Sequence, residues 1–161
     1  MNEFSDILIY IIIGFIIIFI IYGIYVGFSK YIEKQSKSIQ KIKDTLERFG
    51  QLEDQKSFST LKYQNEDYHI LIIKVQKGAK FTFNSKTIWE KRFGTNKYYT
   101  DQTIFSKLPG KKMVIIYPSE GPFMYHYDEN EIRFTNPKEK IWDMHIIAAS
   151  ELESTLKEGF K

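Results

Sequence analysis

The run from Ile7 to Phe28 contains 22 residues without one charge and is dominated by isoleucine. No other feature restricts the fold so strongly. A helix of that length measures about 33 Å, enough to cross a hydrocarbon core of about 30 Å. Inside a bilayer every backbone N–H and C=O must be satisfied within the segment, so isoleucines that favour strands in water are expected to be helical here. No polar stripe interrupts the run, which argues against the core helix of a soluble domain. The expectation is a transmembrane helix over residues 7–28, preceded by a short extracytoplasmic tail at 1–6.

The flanks predict an orientation. Glu3 and Asp6 are the only charged side chains before the run, and all 23 Lys and Arg residues follow it. Lys30, Lys34, Lys37, Lys41, Lys43 and Arg48 crowd its C-terminal side. Basic residues near the ends of a membrane helix mark the cytoplasmic side, so the N-terminus is expected outside and the remainder in the cytoplasm. Tyr22, Tyr25, Phe28 and Tyr31 place aromatics at that basic end, at headgroup level. The acidic start, the length of the apolar core and the lack of an A-x-A-like site distinguish the run from a cleaved signal peptide. The anchor is therefore expected to be retained.

Two patterns bear on self-association. Gly23 and Gly27 have the G-x-x-x-G spacing that lets membrane helices approach closely. Beyond the anchor, Phe28, Ile32, Gln35, Ile39, Ile42, Leu46 and Phe49 recur in steps of four and three. They are the a and d positions of three heptads. They predict an amphipathic helix over 29–50, ending at Gly50, that packs on its own domain, on a copy or on the membrane surface. At 100° per residue the glycine face lies about 120° from the heptad seam, so one straight helix cannot use both for a single dimer contact.

From residue 57 to 161 the period shifts towards two. β-Branched and aromatic segments predict strands at 58–63, 68–76, 80–83, 87–93, 112–117, 123–127, 131–135 and 140–147. Gln64 to Asp67, Lys77-Gly78, Asn84-Ser85, Pro118 to Pro122, Asp128 to Asn130 and Asn136-Pro137 separate them. Short connections argue for antiparallel hairpins, and residues 94–110 read as a long loop or irregular edge. Ser150-Glu151-Leu152-Glu153 has the capping-box pattern for a last helix. The expectation is a small α+β domain, an antiparallel β-rich sheet or barrel with a C-terminal helix. By strand count this outline resembles a pleckstrin-homology-like barrel. Trp142, on the last strand, is expected in the core.

The candidate chemistry is sparse. There is no cysteine, which removes disulfides and thiolate metal sites. No nucleophile-elbow, phosphate-loop or zincin motif occurs. An acid–base or metal site could form if His126, Asp128, Asp143 and His145 converged from neighbouring strands, which would make the chain a membrane-bound metal-dependent hydrolase. Trp89, Lys91, Arg92, Lys97, Tyr98 and Tyr99 interleave aromatics with cations, a mixture suited to anionic headgroups or a protein partner. After residue 28 the balance is 23 basic against 18 acidic side chains, too mild to suggest nucleic acid. These features predict a single-pass membrane protein displaying a small cytoplasmic interaction domain, an adaptor, regulator or immunity-type protein acting at the bilayer. Neither enzymatic activity nor a cofactor is expected. Its partners would be the lipid bilayer and a protein at the membrane, with a self-associating structural role as a further alternative.

Overall fold

The computed structural model describes residues 3–160, with side chains from residue 10 onward. It divides into two compact units, one up to residue 40 and one from residue 41 on. Helix α1 (Glu3–Glu47) runs from the first into the second without a break, so the apolar and amphipathic stretches form one helix. Of the expected tail, residues 3–6 are helical and residues 1–2 lie outside those described. From Tyr10 to Phe28 the large apolar side chains are all exposed, Phe19 to 80%. A monomer in water rarely exposes a contiguous apolar surface of this size. The helix is long and apolar enough to cross a membrane, and the apolar part is not buried in protein.

The second unit is β-rich. Its strands are β1 (Gln51–Asp54), β2 (Ser59–Tyr63), β3 (Glu66–Val75), β4 (Lys80–Phe83), β5 (Ile88–Phe93), β6 (Asn96–Asp101), β7 (Lys111–Pro118), β8 (Met124–His126), β9 (Ile132–Phe134), β10 (Lys140–Ile141) and β11 (Met144–Ala148). Short helices α2 (Thr103–Ser106) and α3 (Leu152–Glu158) complete it. One sheet has the order β1-β2-β3-β7-β11-β10 and the other β6-β5-β4-β8-β9. Both are mixed, where an antiparallel arrangement was expected. β7 lies parallel to β3 on one side and to β11 on the other, and β4 is parallel to β8. Neither sheet closes on itself, so among the described residues there is no barrel of the pleckstrin-homology kind.

The topology follows from what each strand can bury. Lys112 to Tyr117 are buried throughout, as is all of β11, so side chains on both faces of these strands are covered. Towards the second sheet, Val114, Ile116, Met144 and Ile146 join Phe81, Phe83, Trp89 and Phe123 in one core. On the opposite face lie Met113, Ile115, His145 and Ile147, and here Tyr63 donates a hydrogen bond to the Leu156 carbonyl of α3. Arg48, just past α1, pairs with Glu153 of α3.

Local details depart from expectation in three places. Residues 140–147 form a hairpin, not one strand, with Trp142 and Asp143 as its two-residue turn. Residues 94–110 supply β6 and α2 in place of a loop. The α3 N-cap is Glu151, with no side-chain capping bond, so the Ser150 box does not form. Gly50 is needed for space, since a Cβ there would sit 2.1 Å from the Lys62 carbonyl oxygen. Gly50→Ala should therefore lower stability by about 1–3 kcal/mol in urea unfolding of the full chain in detergent. A midpoint unchanged from wild type would show that the backbone there relaxes freely.

Candidate interaction surface

Strand alternation divides the six aromatic and basic candidates between two faces. Trp89 and Lys91 point inward from β5. Trp89 is fully buried, 4.8 Å ring to ring from Phe83, with its indole N–H donating to the Lys86 carbonyl. Lys91 is half-buried and donates to the Lys74 carbonyl at 2.8 Å, and burial pulls its pKa down. Tyr98 lies opposite Lys91 at the exposed margin. Arg92, Lys97 and Tyr99 point outward.

The register adds a residue that linear proximity does not bring forward. Lys80 stands opposite Arg92, and Arg92 opposite Lys97. Three cations thus lie side by side across β4, β5 and β6. Like charges directly opposite one another destabilise a sheet. Arg92 is neutralised by Glu90 at 2.9 Å, whereas Lys80 and Lys97 have no ion-pair partner among the described residues. Burial pushes the Glu90 carboxyl up, but hydrogen bonds from Tyr99, Arg92 and Asn84 outweigh it and hold the pKa below the usual value. The same bond raises the Tyr99 pKa. Glu90 is thus covered by its neighbours on the outer face rather than by the core.

The rest of this face mixes polar and large apolar side chains. The next row across the sheet is Tyr99, Glu90, Thr82, Met124 and Phe134, followed at the β8–β9 end by His126 and Ile132. Phe134 is 68% exposed and Ile132 is 55% exposed. One open sheet face therefore combines a cationic row with large apolar side chains.

Trp142 occupies the other notable surface position, where a core place was expected. It is 43% exposed at a positive φ of 59°, first in a two-residue turn that favours glycine there. Its ring meets Tyr125 edge-on at 6.4 Å, and Arg133 stacks over Tyr127 nearby in sequence. The Ile141-Trp142-Asp143-Met144 sequence carries no glycine or asparagine to announce a turn, so only the structure reveals this exposure. Asp143, the second turn residue, neutralises Lys112, which is 1% exposed, and forms a second ion pair with Lys86 at 3.1 Å. Burial raises the Asp143 pKa, and the two lysines more than reverse it.

The four residues considered for hydrolysis do not converge. His126 is on the five-stranded sheet and His145 on the six-stranded one. Asp128 caps a turn, accepting the Asn130 and Glu131 N–H groups at 2.8 Å. His145 is fully buried and stacks on Phe160 at 3.9 Å, and burial pulls its pKa down to about 4. Among the described residues no three His, Asp or Glu side chains are placed to hold a metal. Of the self-association residues, a Cβ on Gly23 or Gly27 would meet nothing, and Ile32 is exposed. Ile39 and Phe49 are half-buried, while Ile42 and Leu46 are buried in the second unit. The last heptad of the seam is thus occupied by the chain's own domain.

Compared with models of protein families, with curated proteins and with solved structures, the chain matches none.

Two stability measurements test this geometry. Lys80→Thr should raise stability by up to about 0.5 kcal/mol by removing cross-strand repulsion, and a loss on chemical denaturation would contradict it. Asp143→Ala strands the buried Lys112 charge and should cost about 3 kcal/mol, the low end for a broken buried pair because Asp143 is one-third exposed. Adding Lys112→Met should recover most of that loss.

Proposed function

We propose that the chain is a single-pass membrane protein whose apolar helix anchors a small cytoplasmic interaction module, with the N-terminus outside. The module acts as an adaptor, regulator or immunity-type protein on another component of the membrane. The observation that carries this reading is the open face of the five-stranded sheet. A domain of this size covers its apolar surface where it can, and here Phe134 and Ile132 remain exposed on the same face as two lysines that have no ion-pair partner among the described residues. Such a mixture of large apolar contact and flanking charge suits recognition of a macromolecule. The anchor is supported by the exposed apolar surface of α1, and the orientation by the basic flank after residue 28.

Photo-cross-linking residues placed at Phe134 and Thr82 test the module. In intact membranes both should give a discrete adduct that a probe at exposed Ser154 on α3 does not. A folded, membrane-retained protein yielding no adduct from either face position would overturn the interaction reading. Compartment-specific reporters fused after Lys161 test the orientation, and an external signal would reverse it.

A further inference from the structure

The basic row runs to an open sheet edge, and the two features can serve one ligand. β6 is the edge of its sheet, six residues long, exposed at every position except the half-buried Thr100. The ladder phase shows which backbone groups are free. Gln102 N–H donates to the Thr87 carbonyl at 2.7 Å, one step beyond the Ile88 and Asp101 pair. In an antiparallel pair, hydrogen-bonded and non-bonded positions alternate. Asn96, Tyr98 and Thr100 therefore face β5, while Lys97, Tyr99 and Asp101 turn their N–H and C=O groups outward.

The side chains of Lys97 and Tyr99 stand on the outer face, in the two rows already described. A strand added to β6 would bond to the backbone of these residues and place a side chain opposite Lys97. That side chain becomes the fourth member of the row Lys80, Arg92, Lys97. Arg92 already has Glu90, and Lys97 has no counter-ion among the described residues, so the charge that completes the row is a carboxylate. Two positions along the added strand, the neighbour of Tyr99 is best apolar.

We propose that the free edge of β6 binds an extended acidic segment of a partner protein by strand addition, with an acidic residue in register with Lys97. This identifies the partner of the module proposed above and rests on that reading. Main-chain bonds to Lys97 and Tyr99 supply affinity, and the basic row supplies register and choice of sign.

The probe is a fluorescently labelled heptapeptide with glutamate at its centre, valine two positions to either side and threonine elsewhere, titrated against the full chain in detergent or nanodiscs, with a counterpart carrying lysine at the centre as control. The glutamate peptide should bind and the lysine peptide should not. Tyr99→Pro removes an outward N–H together with the phenol that bonds to Glu90 and is compatible with an edge strand, and it should raise Kd about tenfold. Tyr99→Ala keeps that N–H and should have a smaller effect. Lys97→Glu should abolish binding of the glutamate peptide and admit the lysine peptide. No binding by the wild-type chain, or equal binding by Tyr99→Pro with its fold intact, overturns the proposal. Should Tyr99→Pro fail to fold, an unchanged Kd for Lys97→Glu overturns it equally. Adsorption of phosphatidylserine vesicles that Lys97→Glu abolishes and Tyr99→Pro leaves alone, without peptide binding, would assign the face to lipid. Adducts from Phe134 that persist when the peptide does not bind would leave the module standing and remove only strand addition.

Discussion

The domain depends on β7 being buried on both faces. Met113, Val114, Ile115, Ile116 and Tyr117 leave no side free for solvent, so neighbours must be supplied on each face and along each edge. One face is met by the aromatic core of Phe81, Phe83, Trp89 and Phe123. The other lies beneath the side of the sheet where Tyr63 bonds to α3. Both edges are taken by parallel strands, which cannot be joined to β7 by a tight turn. The chain therefore leaves β3, lays down β4 to β6 in the second sheet, and returns through α2 before β7 can form. The layered arrangement is a consequence of that one apolar strand.

Much of the architecture is legible in the sequence, and the gaps have physical causes. Strand positions such as 59–63, 80–83 and 111–118 follow from β-branched and aromatic runs between turn residues. Their order does not, because parallel pairing between β3 and β7 leaves no local mark. The unbroken apolar run of β7, without alternation, was the available sign of a central strand. The hairpin at 140–148 escaped because its turn is Trp142-Asp143 and not a glycine pair.

The candidate surface was half legible. Grouping Trp89 with Lys91, Arg92, Lys97, Tyr98 and Tyr99 by proximity ignores that alternate residues face opposite ways, which sends Trp89 to the core and Lys91 against the Lys74 backbone. Lys80 enters only once the β4–β5 register is known. Conversely, the heptad pattern of α1 identifies the buried residues Ile42 and Leu46, but periodicity carries no information about which surface buries them. Pattern reveals that a face is apolar, and pairing reveals what it meets.

The two tryptophans end in opposite environments, Trp89 sealed in the core and Trp142 in a solvent-facing turn. Since the chain has no others, its intrinsic emission separates into two independent signals. A blue-shifted, quencher-resistant component reports the packing between the sheets. A red-shifted component, open to acrylamide, reports whatever approaches the β10–β11 corner. The molecule thus carries its own optical contrast between integrity of the fold and occupancy of its surface, and neither signal needs a label.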